Sequence, residues 1–395
     1  MKRTLVMMLV LIRCLTLTAY GDMADTCIGY AKSCVMYTKH REQINDKQSL
    51  LSGKVLANAG SDSSDWLVIA ASRLGLDEDY AAYGGQWERS LEDQLGGRPN
   101  ATELHRAVLT ALSLGKDPTD ISGHDLVGEG TWDRDESSSP GVQGVNGWIW
   151  ALIALDSYDW RTPEGVIFDR GHIIEKILEN ELAGGGFSLS DKADTDLTAM
   201  ALQALAPYRA DSRVSRVIDT ALAALEKNFA KGDITCEGAA QTVCALCCLG
   251  LDDSAQGRFS RGSTPFEVMM SFYREDGGFA HLAGEDKSSP MATAQAMLAL
   301  AAKARQEKGM RTLYDFKAEP GEETSGSDLG EIIYLKNVNT SGKGHIYDVE
   351  KGEEYFVKSK SEKTSPKPDK RVLQGAVTAA GAVAAAVFIL RKRRA

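Results

Sequence analysis

Positive charge is scarce in this sequence. Its 395 residues carry 45 lysines and arginines against 55 aspartates and glutamates, which gives a net charge of −10. A nucleic-acid-binding chain needs a basic face to meet the phosphates, and here only the extreme tail is basic. We therefore predict that nucleic acid is not a partner.

The common motifs for binding metal ions and phosphates are also missing. There is no HExxH, no set of cysteines and histidines at zinc-ligand spacing, and no GxxxxGK[ST] loop. Cys244, Cys247 and Cys248 lie in a run of alanine and leucine, where we expect buried thiols rather than a metal cluster. Cys27 and Cys34 are too far apart for a disulfide if their segment is helical. We predict no metal and no cofactor.

The chain does contain a repeat. A pattern of small and apolar residues at helical spacing recurs six times, at intervals of 40 to 51 residues. Its anchors are Ala70, Thr110, Ala151, Ala201, Ala245 and Ala296. More charged, amphipathic segments alternate with these copies, so each repeat is predicted to hold an apolar inner helix and a charged outer one. Such repeats must stack to bury their apolar faces, and no distinct polar end caps are present. We predict an all-α fold of six helix pairs closed into a ring.

Both ends of the chain have the character of membrane signals. A basic start, an apolar run and a small-x-small site predict a signal peptide over 1–21, with an uncleaved anchor as the alternative. Residues 372–390 carry no charge and approach the roughly 20 residues that cross a bilayer. The basic run 391–394 follows and would stay inside. We expect an exported protein held in the cell membrane by a single C-terminal transmembrane helix, with its body extracellular.

Composition divides the rest of the chain. Residues 317–371 are rich in Glu, Lys, Ser and Gly and poor in large apolar residues, which is typical of a stalk. Short strands near His345–Val349 and Glu354–Val357 would form a small β element within this stalk. The predicted order is signal peptide 1–21, lead-in segment 22–60, repeat domain 61–316, stalk 317–371, transmembrane helix 372–390 and cytoplasmic tail 391–395.

Several motifs carry a family resemblance. The turns Gly185-Gly186-Phe187 and Gly277-Gly278-Phe279 resemble the repeats of the terpenoid (squalene) cyclase and protein prenyltransferase superfamily, whose fold is an α/α toroid. Four further pieces look like the exported prenyltransferase-repeat proteins of Gram-positive bacteria. They are Ser64-Asp65-Trp66, the run 194–208, the run 236–241 and the run 291–296. The resemblance covers about residues 60–305 and implies the fold, which does not by itself imply an activity.

The resemblance also implies candidate activities. Class II terpene cyclases protonate an alkene with the middle acid of a DxDD motif. Asp194-Thr195-Asp196-Leu197 matches three of those positions, which places Asp196 on the acid and Asp194 beside it, while Leu197 departs from the motif. The zinc ligands of protein prenyltransferases and the Cys-Gly-Glu-Gln of thioester domains are not matched. The cobalamin carriers of this fold bind their ligand without catalysis.

Polar and aromatic residues recur at the starts of the predicted inner helices. We predict that they form a rim at one mouth of the ring and bind a ligand there. The predicted rim is Asp65, Trp66, His105, Asn146, Trp148, Asp196, Thr198, Glu237, Gln241, Thr293 and Gln295. Helix capping explains Asp, Asn and Thr at helix starts equally well, but Trp and His are not capping residues.

Three functions remain open from the sequence. The leading hypothesis is a membrane-tethered surface protein whose toroid binds an isoprenoid- or corrinoid-like small molecule, or a surface protein partner, without catalysis. The alternative is a terpene-cyclase-like enzyme with Asp196 as general acid. The third is an adhesion module that uses the outside of the ring.

Overall fold

The computed structural model describes residues 23–252, Phe259, residues 263–319 and the backbone of two strands beyond them. The predicted signal peptide 1–21, transmembrane helix 372–390 and tail 391–395 lie outside the described residues. Among the helices within the described ranges, none is long and apolar enough to cross a membrane.

The body is all-helical, as the sequence predicts. Its α-helices are α1 Met23–Glu42, α2 Gly53–Ala57, α3 Asp62–Arg73, α4 Tyr80–Leu95, α5 Ala101–Ser113, α6 Val145–Asp156, α7 Arg170–Glu179, α8 Thr195–Leu205, α9 Ser212–Lys231, α10 Cys236–Leu249, α11 Pro265–Met270 and α12 Pro290–Glu307. Three shorter turns are the π-helical Gly128–Trp132 and the 3-10 segments Pro140–Gln143 and Ala206–Tyr208. Beyond the body, β1 Lys343–Asp348 pairs antiparallel with β2 Glu353–Lys358, near the strands expected in the stalk.

The six helices that carry the repeat anchors form a closed circuit. They are α3, α5, α6, α8, α10 and α12, and we call them the inner circuit. Each packs against the next, and α12 packs against α3. Their small buried residues, such as Ala70, Ala201 and Ala245, let neighbouring helices approach closely.

The inner helices run in the same direction, because residues near the start of one helix contact residues near the start of the next. Arg106 in α5 donates from Nε to Asp65 Oδ2 in α3 at 3.1 Å. Thr102, also near the start of α5, donates its backbone N–H to Gln143, which precedes α6, at 3.1 Å. We call this end of the inner circuit the mouth.

The opposite end gathers the ends of the same helices. Ser72 at the end of α3 donates to the carbonyl of Ser113 at the end of α5, at 2.8 Å. Arg305 near the end of α12 donates to the carbonyl of Arg73 at 3.2 Å. The two ends of the circuit are therefore distinct surfaces with different side chains.

The first helix of the described residues, α1, occupies the outer position beside the last inner helix. A Cβ on Gly185, in the turn before α8, would lie 2.6 Å from the carbonyl oxygen of Thr220 in α9. A Cβ on Gly277, in the equivalent turn before α12, would lie 2.8 Å from that of Ser33 in α1. Helix α1 thus takes the place beside α12 that α9 takes beside α8. The segment expected as a lead-in is part of the packed body.

The chain crosses the far end of the circuit after α12. Tyr314 packs against both Trp66 of α3 and Trp150 of α6, and its ring centroid lies 6.5 and 5.8 Å from theirs. Arg73 fixes this segment by donating to the carbonyls of Thr312 and Asp315 at 3.0 and 2.7 Å. We call residues 310–319 the C-terminal plug, because they cover the end of the circuit opposite the mouth.

The cysteines behave as buried thiols. Cys244 and Cys247 stand one helical turn apart within α10, at Cys-x-x-Cys spacing, and both are buried. Burial raises the pKa of the Cys34 thiol in α1 to about 12. Within the described ranges no group of histidine, cysteine, aspartate and glutamate side chains could hold a metal ion. Of the three α10 cysteines expected to be buried thiols, Cys244 and Cys247 are buried and Cys248 is partly exposed.

Candidate functional site

Two aspartates at the start of α8 are placed differently. Asp194 is the N-cap of α8, and its carboxyl accepts the backbone N–H of Leu197 at 2.9 Å. Asp196 instead reaches toward α10. A Cβ on Gly238 would lie 2.7 Å from Asp196 Oδ1. Glycine at position 238 therefore leaves the space that the Asp196 carboxyl occupies.

A second acid and a histidine lie beside Asp196. Glu237, the second residue of α10, is buried, and its Oε2 accepts a hydrogen bond from His281 Nδ1 at 2.8 Å. The loop before α12 holds His281 in place, because the backbone N–H of Cys236 donates to its carbonyl at 3.1 Å. The hydrogen bond to Glu237 raises the pKa of His281 above its usual 6.5.

The chemistry of Asp196 follows from this setting. Burial raises its pKa well above the ordinary 3.8, the charges of Asp194 and Glu237 raise it further, and His281 opposes them. No hydrogen bond or ion pair reaches its carboxyl from the described part of the chain. A carboxyl in this state can donate a proton, or accept a cation when it ionises. Asp196 is the uncommitted acid of the mouth.

Three glutamines below these acids are hydrogen-bonded in a row. Gln203 of α8 donates to Gln241 of α10 at 2.8 Å, and Gln241 donates to Gln295 of α12 at 2.6 Å. Gln203 lies two turns after Asp196, and Gln241 lies one turn after Glu237, so each shares a helix face with an acid. The buried Oε1 of Gln203 has no partner among the described residues. The row carries a polar surface from the mouth into the circuit.

Aromatic residues of α3 and α6 meet inside the circuit. The rings of Trp66 and Trp150 are 5.2 Å apart, although α5 separates their helices in the circuit. Their contact therefore lies inside the circuit, with Tyr314 of the plug against both. Sequence reasoning singled out Trp66 but missed Trp150, which lies one helical turn after Asn146 and shares its face. It also missed Tyr314, which follows the last repeat and belongs to no motif.

Asp65 and Arg106 serve the packing of α3 on α5. Asp65 accepts hydrogen bonds from Tyr83 Oη at 2.9 Å and from the Gly60 N–H at 3.0 Å, besides the one from Arg106. Arg106 also pairs with Asp62. A buried acid with these three donors is satisfied by its own fold. The structure therefore does not present Asp65 to a ligand.

His105 is engaged by another part of the chain. Its Nε2 lies 3.0 Å from both the Gly130 carbonyl and the Thr131 hydroxyl of the π-helical turn. Burial lowers its pKa to about 3, so the ring is neutral at physiological pH. His105 therefore supports the packing of α5 and does not exchange protons at the mouth.

Other predicted rim residues secure the turns and the outer helices. Thr198 Oγ1 accepts the Phe187 N–H, and Thr293 Oγ1 accepts the Phe279 N–H, both at 2.9 Å. The two glycine-aromatic turns are thus held in the same way. Trp148 packs on Phe168, 5.4 Å away, beside the outer helix α7.

The structure thus brings only part of the predicted rim together. Asp194, Asp196 and Glu237 meet at the mouth, and Gln241 and Gln295 lie one turn deeper. His281 and Gln203 complete this group and were not predicted as site residues. Asn146 is buried at the start of α6, at 8% exposure. We call Asp196, Glu237 and His281 the acidic mouth site.

No family model, curated protein or solved structure matches the chain. Its function is therefore argued from the acidic mouth site and the surfaces around it.

Proposed function

We propose that this chain is an α/α toroid of six helix pairs, tethered at the cell surface, that binds a ligand at its mouth without catalysis. The closed circuit of parallel inner helices and the matched turns at Phe187 and Phe279 support the toroid. The apolar run 372–390 and the signal-like segment 1–21 support export and a single membrane anchor with the body outside.

The observation that carries the binding role is the unengaged carboxyl of Asp196. Asp196 is partly exposed at the mouth, so a ligand can reach its carboxyl. A ligand with a positively charged donor would gain a charge-assisted hydrogen bond there. Because the C-terminal plug covers the far end of the circuit, such a ligand enters at the mouth. It is a small molecule of the isoprenoid or corrinoid kind, or a segment of a surface protein.

The same acid supports a second candidate, a terpene-cyclase-like enzyme. Leu197, in the fourth position of the DxDD pattern, is buried and supplies no acid. Glu237 brings a replacement carboxyl from α10, and its hydrogen bond from His281 makes a proton-linked pair beside Asp196. The raised pKa of Asp196 favours its protonated form, which a general acid requires.

Native mass spectrometry of the full chain tests both candidates. The protein is incubated with cell extract and with corrinoid and isoprenoid panels, as wild type, Asp196→Asn and Asp191→Asn. Asp191 is an exposed acid of the loop before α8 and serves as the matched control. We expect a ligand that the wild type and the Asp191 variant retain, that the Asp196 variant loses, and that is not converted.

Two results would change this conclusion. An isoprenoid converted to a new product by the wild type, but not by Asp196→Asn, would replace the binding module with the enzyme. A chain that retains and converts none of these molecules would exclude the enzyme and the small-molecule ligand, and would leave a segment of a surface protein as the ligand.

A further inference from the structure

Large apolar side chains are exposed around the mouth. Val142, Leu189, Leu282 and Met291 are exposed by 67, 55, 44 and 36%. Val142 lies in the 3-10 turn before α6, Leu189 in the loop before α8, Leu282 in the loop before α12, and Met291 at the start of α12. All four therefore belong to the mouth end, where exposed apolar residues in one region indicate an interaction surface.

These side chains form two groups with the acids between them. Leu189 Cδ2 lies 2.8 Å from the position of a Cβ on Gly144, which places Leu189 beside the turn that holds Val142. Leu282 and Met291 belong to α12 and its preceding loop. Around the circuit, α8 and α10 carry Asp196 and Glu237, and they separate α6 from α12. A ligand that crosses the mouth meets an apolar group, then acids, then an apolar group.

The distance across this surface indicates the size of the ligand. Neighbouring helix axes in packed pairs are about 8–10 Å apart, so two steps along the circuit from α8 to α12 cover about 16–20 Å. An extended peptide covers about 3.3 Å per residue and bridges that distance with about six residues. A small amine would reach the acids but leave the apolar groups uncovered.

We propose that the mouth binds an extended segment of a separate surface protein, with one lysine or arginine flanked on both sides by apolar residues. The basic side chain enters between Asp196 and Glu237, and the flanking residues cover Leu189 and Leu282. This inference rests on the proposed function and names the chemistry of its partner. The net charge of −10 favours the approach of a basic segment.

Fluorescence anisotropy with the full chain tests this assignment. The probe is a labelled seven-residue peptide with leucine at both ends, lysine at the centre and serine elsewhere. We expect it to bind, and we expect a central glutamine to weaken binding by about tenfold or more, because a charge-assisted hydrogen bond is lost. Replacing both leucines by serine should weaken binding by about fivefold or more.

Variants of the protein test whether the peptide binds at the mouth. Asp196→Asn should remove the preference for lysine over glutamine. The double variant Leu189→Ser with Leu282→Ser should remove the preference for leucine ends. Ile167→Ser is the matched control, because Ile167 is exposed by 47% and lies before the outer helix α7. It should bind the probe as the wild type does.

Three outcomes would overturn the inference. Equal binding of lysine and glutamine peptides would exclude the basic group. A small molecule retained through Asp196, with no peptide binding, would leave the proposed function standing and reject the peptide. Probe binding that appears only after deletion of residues 358–371 would show that this lysine-rich segment of the chain itself occupies the mouth in place of a separate protein.

Discussion

At the residue scale, the two aspartates at the start of α8 have different roles: one caps the helix, and the other is available to a ligand. Both fit a helix start from the sequence, where capping and ligand binding were equally good explanations of such acids. Asp194 is the cap. Asp196 is not, because its carboxyl turns toward Gly238 of another helix. That orientation depends on the packing of α8 on α10, which no local pattern encodes.

This difference predicts opposite effects of the same substitution. The pKa of Asp196 is raised in the fold, so its proton is favoured there and stability falls as pH rises from 3.8 through the folded pKa. Asp196→Asn should therefore raise the free energy of unfolding at pH 7 and have no such effect near pH 3. Asp194→Asn should lower it by up to about 1 kcal/mol, because asparagine caps no better than aspartate and loses the favourable charge at the helix N-terminus. Urea unfolding of both variants across this pH range measures the two effects, and equal shifts of one sign would contradict the assignment.

His281 gives a second prediction at this scale. Its hydrogen bond to Glu237 raises its pKa above 6.5. The contribution of the pair to stability is thus complete below pH 6.5 and is lost as pH rises through the folded pKa, and it is small because His281 is half-exposed. The imidazole Cε1–H resonance, assigned with His281→Gln, should titrate above 6.5 in the wild type. In Glu237→Gln it should titrate lower. An unchanged midpoint would show that the pair does not form.

The remaining rim residues show the limits of a positional pattern. Counting back from each repeat anchor selected helix starts correctly, as Asp65 and His105 both lie near the starts of inner helices. It did not resolve which face of the helix each residue occupies. Residues three apart, such as Asp62 and Asp65 or Glu237 and Ala240, point about 60° apart around the helix axis, so the pattern does not fix which of them faces the mouth. The burial of Asp65 by Tyr83 and Arg106 required a partner from a different repeat.

At the element scale, the helices themselves were largely predictable. The alternation of apolar and amphipathic segments indicated each inner helix, and each of the six repeat anchors lies within an α-helix of the structure. The role of α1 was not predictable in this way. Its position follows from a contact with Gly277, more than two hundred residues later in the chain, and not from its own sequence.

Substitution of Gly277 tests the contact between the turn before α12 and helix α1. Gly277 and Gly284 both have positive φ, +89° and +84°, but only a Cβ at Gly277 meets another helix, at Ser33 of α1. Gly284→Ala should cost about 1 kcal/mol from backbone strain alone. Gly277→Ala should cost about 1–3 kcal/mol more, because the added methyl group displaces the α1 backbone.

Hydrogen exchange shows which helix each substitution destabilises. In Gly277→Ala the amides of α1 should exchange faster, while in Gly284→Ala they should remain as in the wild type. Equal stability losses in the two variants, with α1 unaffected in both, would contradict the outer position assigned to α1.

At the scale of the whole molecule, closure of the circuit and its plug define which end can accept a ligand. The absence of terminal caps in the sequence predicts a closed arrangement, and in the structure α12 contacts α3. The plug could not be foreseen, since residues 310–319 follow the last repeat and carry no periodic pattern. Their position depends on Arg73 and on the aromatic residues of α3 and α6.

Substitution of Tyr314 tests whether the plug covers the aromatic residues of α3 and α6. Truncation of a buried aromatic side chain costs about 3–5 kcal/mol. We expect Tyr314→Ala to lower the free energy of unfolding by about this amount and to shift Trp fluorescence to the red, because Trp66 and Trp150 become wetter. Met310→Ala, at a 38% exposed position of the same segment, should change neither. Wild-type stability and fluorescence in the Tyr314 variant would show that the plug does not cover the aromatic residues.

The central claim is that Asp196 is an acid with a raised pKa whose carboxyl is available to a ligand at the mouth. Carbon-13 NMR of the aspartate side-chain carboxyls, assigned with Asp196→Asn in the full chain, reports its titration directly. The account predicts a midpoint well above 3.8 for Asp196, which falls when a cationic ligand binds. A midpoint at or below 3.8, unchanged by any ligand, would contradict it.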